Sequence, residues 1–171
     1  MDKNIKTIGI DATGFEMLTN AVRDLLQSYP GLGRREILFE ELDESGGLIF
    51  SADGGALVIT ERRSITDHIT QTCQYPFLVV YRTAASTERE KLNIQTFLEN
   101  LGKWLCMERV VLDGAEQRLT SYPKLTDGRQ ITRMTRSNSY GTAPNENKTQ
   151  DWVLPVTVQY TYEFDLGGSE W

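Results

Sequence analysis

The side chains that most often perform chemistry in proteins are few and scattered along this chain. His68 is the only histidine, so a two-histidine zinc site cannot be formed. The polar residues around His68 predict a place on the surface rather than a role as general base. Cys73 and Cys106 fit no metal-binding spacing and do not make a disulfide framework. We expect both to be reduced thiols, as is usual in the cytosol.

Four carboxylates lie close together in the sequence, at Glu40, Glu41, Asp43 and Glu44. Paired carboxylates can bind a cation or act as acid and base. These lack the glycine spacing and partner ligands of such sites, and a solvated strand end is the simpler interpretation. The alternative from a different class is a small metal-dependent enzyme that uses this group, which metal analysis of the purified protein would test.

Two glycine pairs, Gly46-Gly47 and Gly54-Gly55, occur in polar segments. Neither opens a helix followed by lysine and then serine or threonine, as a phosphate-binding loop requires. Both pairs are therefore predicted to be turns. We expect the chain to contain no catalytic residue, no cofactor and no metal.

Length and composition predict one globular domain over residues 1–171. The chain has 171 residues, 39% of them hydrophobic and 25% charged, which is ordinary for a folded domain. Its net charge of −6 argues against general nucleic-acid binding, which calls for a basic face. No apolar run approaches the ~20 residues that span a membrane, and the first residues lack the apolar core of a signal peptide. We expect synthesis in the cytosol and no association with membranes.

Two amphipathic helices are predicted. The first begins with a capping box of Thr13 and Glu16 and ends before Pro30. The second begins with a capping box of Thr87 and Glu90. The second helix carries a broad apolar face, which consists of Leu92, Ile94, Phe97, Leu98, Leu101, Trp104 and Leu105.

The remaining elements are strands, and the last is the most regular. Strands are predicted at 35–42, 48–52, 56–60, 64–72, 75–83, 110–112, 118–122 and 129–137. From Trp152 to Phe164 every even position is apolar and most odd positions are polar, which indicates a strand with one buried face and one wet face. We expect the even face to lie on the helix around Trp104 and the odd face, with Gln159, to meet water or another subunit.

Three segments outside these elements have their own predicted roles. Residues 1–10 are read as an extended arm, 138–150 as a flexible surface loop that becomes ordered on assembly, and 167–171 as a tail. Trp104 and Trp152 lie in apolar patterns and are expected in the core. Trp171 ends the polar tail, where an exposed indole is expected to contact a partner.

Basic side chains form three small groups, at Arg34-Arg35, at Arg62-Arg63 and at Arg129, Arg133 and Arg136. Because residues four apart share a face of a regular strand, Arg129 and Arg133 are predicted to point the same way. These groups could meet acidic residues of a neighbouring subunit.

Several stretches resemble a known protein family. They are 74–82 (QYPFLVVYR), 97–105 (FLENLGKWL), 122–129 (YPKLTDGR), Asp151-Trp152 and 159–164 (QYTYEF). Together they resemble the tail terminator or minor capsid proteins of phages and prophages of Gram-positive bacteria, over about residues 30–166. The motifs are structural rather than catalytic.

This resemblance implies an α+β fold, in which two main helices pack on one face of a mixed, mostly antiparallel sheet. It also implies a structural virion protein that forms a hexameric ring, caps the tail tube, ends tail polymerisation and joins the tail to the connector or neck proteins of the head. DNA would pass through the lumen without sequence-specific binding. The alternatives are a head-completion or neck connector protein, and an adaptor that binds a host protein through Trp171.

The residues expected at the subunit or ring interface are mainly charged side chains of opposite sign. They are Arg34, Arg35, Glu40, Glu41, Asp43, Glu44, Arg62, Arg63, Arg129, Arg133, Gln159 and Trp171.

Overall fold

A computed structural model describes residues 7–40, 46–84 and 87–167 of the chain. Within these residues the structure has two helices, α1 (Ala12–Gln27) and α2 (Glu88–Leu105), and ten strands. The strands are β1 (Gly9–Ile10), β2 (Ile37–Phe39), β3 (Gly47–Ala52), β4 (Leu57–Arg63), β5 (His68–Thr83), β6 (Val110–Leu112), β7 (Ala115–Gln117), β8 (Arg129–Arg136), β9 (Tyr140–Gly141) and β10 (Gln150–Asp165).

Two 16-residue strands, β5 and β10, form the centre of the main sheet. They pair antiparallel along their whole length, from Gln150 opposite Thr83 to Asp165 opposite His68. The other edge of β5 binds β3 and β4 one after the other, and the other edge of β10 binds β9 and β8. The parallel pairing of β2 with β3 makes the sheet mixed. Strands β6 and β7 form a separate hairpin.

The core lies between the helices and one face of this sheet, as predicted. Val158 and Tyr160 on β10 are fully buried, together with Leu98 and Leu101 on α2 and Leu18 on α1. Trp104 and Trp152 are also in this cluster, 5% and 6% exposed, so their expected core positions are confirmed. The fold is therefore α+β with two helices on one face of a mostly antiparallel sheet.

The predicted helix starts have different outcomes. Thr87 and Glu90 do form the capping box of α2, each side chain accepting from the other residue's backbone N–H. The predicted capping box of Thr13 and Glu16 is wrong. The N-cap residue of α1 is Asp11, whose carboxylate accepts a hydrogen bond from the N–H of Gly14. An aspartate can fill this role as well as a threonine.

Several strand boundaries differ from the prediction. Segments 64–72 and 75–83 are not separate, because β5 continues from His68 to Thr83. Of the predicted strand at 35–42, the described residues 35–40 form a strand at Ile37–Phe39, and the predicted strand at 118–122 is replaced by β7 at Ala115–Gln117. Within the predicted loop at 138–150, Tyr140–Gly141 is a strand. A hydrogen bond from the N–H of Asn145 to the carbonyl oxygen of Thr149, at 2.6 Å, also orders this segment.

Gly128 is expected to be intolerant of any side chain. Its φ is +78°, and a Cβ there would lie 2.0 Å from the carbonyl oxygen of Glu163 on β10. Gly114 has the same φ but open space around it. Gly114→Ala should therefore cost only the ~1 kcal/mol of the left-handed backbone, whereas Gly128→Ala should cost clearly more. Equal losses in chemical denaturation would contradict this steric argument.

Candidate assembly surface on the outer face of the sheet

The face of the sheet away from the two helices, called here the outer face, carries the odd positions of β10 and the even positions of β5. Partners in adjacent strands point to the same side of a sheet. The register therefore defines this surface row by row. The predicted orientation of Gln159 follows from it, because Gln159 lies opposite Gln74 on β5 and Arg133 on β8.

One end of the outer face is apolar across five strands. In a single cross-strand row, Ile49 lies opposite Val80, and Val80 lies opposite Val153. At the margins, Leu38 pairs with Ile49 and Tyr140 with Val153, and these outer members are 42% and 50% exposed. We call these five side chains the apolar row.

The other end of the outer face is polar and mostly uncharged. One row there consists of Thr60, Thr72, Thr161 and Gln130. The hydroxyl of threonine and the amide of glutamine can each donate and accept hydrogen bonds, either with water or with a neighbouring chain. The outer face thus changes from apolar to polar along the length of the two central strands.

Two prolines mark the boundary between these halves. Pro76, the second residue of the predicted strand 75–83, lies in the middle of β5, and Pro155 lies within β10. The carbonyl oxygens of Pro76 and Pro155 accept from Asp53 N–H at 2.9 Å and Ser137 N–H at 3.0 Å. The nitrogen and the oxygen of an antiparallel strand residue point to the same side. Each missing N–H therefore faces a break between neighbouring strands, where no ladder bond is lost.

These breaks narrow the sheet and leave a depression in the outer face. On the β5 side, the β3 pairing ends at Ala52 and the β4 pairing begins at Leu57, which leaves a break beside Pro76. On the β10 side, the β9 pairing ends at Val153 and the β8 pairing begins at Val156, which leaves a break beside Pro155. The depression has a volume of about 200 Å³. We call it the proline notch, and its main lining residues are Asp53, Pro76, Leu78, Pro155, Thr157 and Ser137.

The two arginines expected to share a face of β8 do not. The partners of Gln159 and Tyr160 are Arg133 and Ile131, so Thr132 is an extra residue in a β-bulge. A bulge reverses the alternation, which leaves Arg133 exposed on the outer face and turns Arg129 to the core face. The predicted interface role of Arg129 is therefore wrong for this fold.

Arg129 instead forms a buried ion pair with Asp11. The two side chains are 2% and 4% exposed. Arg129 donates to both carboxylate oxygens of Asp11, at 2.7 and 2.9 Å, and the Tyr160 hydroxyl donates to the same carboxylate at 2.8 Å. The guanidinium lies 3.8 Å from the ring centroid of Tyr162. This cluster ties the start of α1 to β8 and β10.

The electrostatics of the cluster keep Asp11 ionised. Burial alone would raise the pKa of the Asp11 carboxyl, but hydrogen bonds from Arg129, Tyr160 and Gly14 outweigh it and lower that pKa below its usual value. Burial and the bond to Asp11 raise the pKa of the Tyr160 hydroxyl. Sequence reasoning missed this pair, since Asp11 and Arg129 are 118 positions apart. The one local signal was an aspartate directly before a helix.

The other described interface candidates lie on separate parts of the surface. Arg34 is exposed, and Arg35 stacks on Phe97 with its guanidinium 4.7 Å from the ring centroid. Glu40 is exposed beside β2. Among the described candidates only Arg133 and Gln159 are brought together. Glu41, Asp43, Glu44 and Trp171 lie outside the described residues.

Arg62 and Arg63 lie near the end of β4, where a turn leads into β5. Arg63 forms an ion pair with Asp67 at 2.7 Å, while Arg62 has no ion pair within residues 7–40, 46–84 and 87–167. His68, at the start of β5, contacts Asp165 through Nδ1 at 2.8 Å, and both are exposed. The lone histidine thus lies on the surface, as predicted.

The thiols are not poised for reaction at neutral pH. Cys73 is fully buried, and burial raises the pKa of its thiol to about 11. Burial also raises the pKa of the Cys106 thiol. Since the thiolate is the reactive form, both side chains remain protonated. The part of the chain that the structure describes holds no group of three or more His, Cys, Asp or Glu side chains able to bind a metal.

None of the described helices is both long enough and apolar enough to cross a membrane.

Comparisons with other proteins assign the chain to no family. Neither a protein-family model nor a curated protein matches the sequence. The resemblance to tail terminators therefore rests on the quoted sequence motifs, and the fold and its outer face are what the structure contributes.

Proposed function

We propose that this chain is a structural protein of a phage tail, a terminator whose copies form a ring on the end of the tail tube. The observation that carries the proposal is the outer face of the sheet. Both described helices pack on the other side, and the apolar row crosses five strands. Its marginal members Leu38 and Tyr140 are about half exposed, while Ile49 and Val153 between them are only 8% and 6% exposed. Exposed apolar side chains at the margins of such a row are typical of sites where proteins bind one another.

The dimensions of the sheet suit such a role. At about 3.3 Å per residue, the 16-residue strands β5 and β10 give a surface about 50 Å long. Their pairing along the full length makes this surface stiff. A stiff surface with an apolar half and a polar half is suited to holding one neighbour and leaving a wet face, which in a ring would line the lumen or meet the next ring.

The charge of the chain is compatible with passage of DNA. The net charge is −6, and the polar half of the outer face carries charged side chains of both signs, Arg62, Arg133, Glu163 and Asp165, around an uncharged middle. A wall of threonine and glutamine side chains forms few strong contacts with phosphates, which proteins mostly bind through arginine and lysine. DNA could then slide through without being held.

A gene deletion tests the function directly. Particles produced from a phage genome that lacks this coding sequence should show tails of irregular length, not joined to heads, in negative-stain electron microscopy. Supplying the wild-type chain from a plasmid should restore uniform tails. Uniform tails that fail to join heads would overturn the terminator proposal in favour of a neck connector, and normal joined particles would overturn both.

A further inference from the structure

A fully exposed isoleucine lies at the tip of the hairpin formed by β4 and β5. Ile65 is 103% exposed, the highest value among the described large apolar side chains. Two backbone hydrogen bonds fix the turn that carries it: the N–H of Asp67 donates to the carbonyl oxygen of Ser64 at 3.1 Å, and the N–H of Ser64 donates to the carbonyl oxygen of His68 at 2.9 Å. A preorganised anchor of this kind loses little conformational entropy when it is buried by a partner.

The tip also carries an uncompensated positive charge. Arg63 is neutralised by Asp67 at 2.7 Å, but Arg62, on the outer-face side of β4, has no ion pair within the described parts of the chain. The hairpin therefore carries an exposed apolar side chain and, three residues before it, an arginine without an ion pair among the described residues. A partner site that fits it should have an apolar depression beside an unpaired carboxylate.

The proline notch has these properties. Pro76, Leu78 and Pro155 give it apolar walls, and Asp53 at its rim is exposed and without an ion pair among the described residues. Arg136 also borders the notch, but its guanidinium is engaged by Glu99 at 2.9 Å and Glu108 at 3.8 Å. Asp53 is thus the free charge there, opposite in sign to Arg62.

The tip of one molecule cannot reach its own notch. From His68, next to the tip, to Pro76 in the notch, the paired strand β5 separates the two sites by about 26 Å at ~3.3 Å per residue. The occupant must come from another molecule. Contact between two different patches of identical chains is head-to-tail, which closes into a ring or continues as a filament.

We propose that the occupant is a second copy of this chain, whose hairpin tip places Ile65 in the proline notch and Arg62 beside Asp53. This inference deepens the proposed function, on which it rests, by naming the contact that joins neighbours in the ring. The apolar row and the notch then belong to one continuous interface on the outer face.

Sedimentation of the full chain over a range of concentrations tests the contact. Wild type should associate, and Ile65→Asp should raise the dissociation constant about tenfold or more, because the apolar burial of the anchor is lost. The control is Leu92→Asp, at an exposed leucine on α2 (61%), which should associate like wild type. Ile65 touches no core residue, so its variant should melt at the wild-type temperature.

Charge exchange gives a second and independent readout. Arg62→Asp and Asp53→Arg should each weaken association about two- to fivefold, the range of an exposed ion pair. The double variant should recover most of the loss. Recovery supports the contact, while independent, additive losses would overturn it.

The remaining outcomes separate this contact from the function. If wild type associates and Ile65→Asp associates equally well, the hairpin contact is wrong although self-assembly stands. A wild-type chain that stays monomeric at all concentrations also overturns the contact. The tail-length experiment decides the terminator function in either case, because it needs no association of the free chain.

Discussion

Val158→Lys should unfold the protein, whereas Gln159→Lys, one residue further along the same strand, should leave the fold intact. Val158 is fully buried between β10 and the helices. A lysine there would bury an unpaired charge, which costs several kcal/mol, a large part of the ~5–15 kcal/mol that stabilises a typical domain. Gln159 lies on the outer face between Gln74 and Arg133, where substitutions usually change stability by less than ~0.5 kcal/mol.

The same two variants separate folding from assembly. Circular dichroism and thermal melting should show loss of cooperative structure for Val158→Lys only. Sedimentation and the tail assay should then show weakened assembly for the folded Gln159→Lys variant, because it adds a charge beside Arg133 on the face proposed to bind neighbours. Normal folding of Val158→Lys would mean that the assignment of the two faces is wrong.

Arg129→Met should destabilise the protein by about 3–5 kcal/mol, the usual cost of removing one partner from a buried ion pair. The Asp11 carboxylate would keep only the Tyr160 hydroxyl, the Gly14 N–H and a longer contact from Thr13. Arg133→Met is the matched control, since it removes the same side chain from an exposed position on the same strand. We expect the control to unfold in urea within ~0.5 kcal/mol of wild type.

Lowering the pH should narrow the difference in unfolding free energy between wild type and Arg129→Met. In wild type the pKa of Asp11 is below its ordinary value of 3.8. The contribution of the ionised Asp11 carboxylate to the stability of the fold is therefore present above that value, and it is lost as the pH falls through the lowered pKa. In the variant, burial without the arginine should raise the pKa of Asp11, so that protonation relieves the buried charge. A difference in unfolding free energy that stays constant from pH 7 to about pH 3 would show that Asp11 and Arg129 are not coupled.

Local patterns were sufficient for the features that depend on neighbouring residues. The alternation from Trp152 to Phe164 correctly separated the buried from the outer face of β10, because side chains of any strand alternate. The capping box at Thr87 and Glu90 was predicted correctly for the same reason, since both hydrogen bonds close within one helical turn.

The errors share a cause, which is competition from distant partners. Asp11 rather than Thr13 caps the N-terminus of α1. Its carboxylate accepts hydrogen bonds from Arg129 and Tyr160, which are far from it in the sequence. Segments 64–72 and 75–83 join into one strand because β10 pairs along both. Pro76 is tolerated there only because β3 and β4 leave a break opposite it.

By itself, the sequence determined the α+β composition, the two amphipathic helices and the two-faced last strand, because each depends on the periodicity of adjacent residues. Only the tertiary structure decided where the bulge at Thr132 divides Arg129 from Arg133, where the proline notch opens, and how far Ile65 lies from it. These features depend on strand register, which is set by pairing between segments remote in sequence.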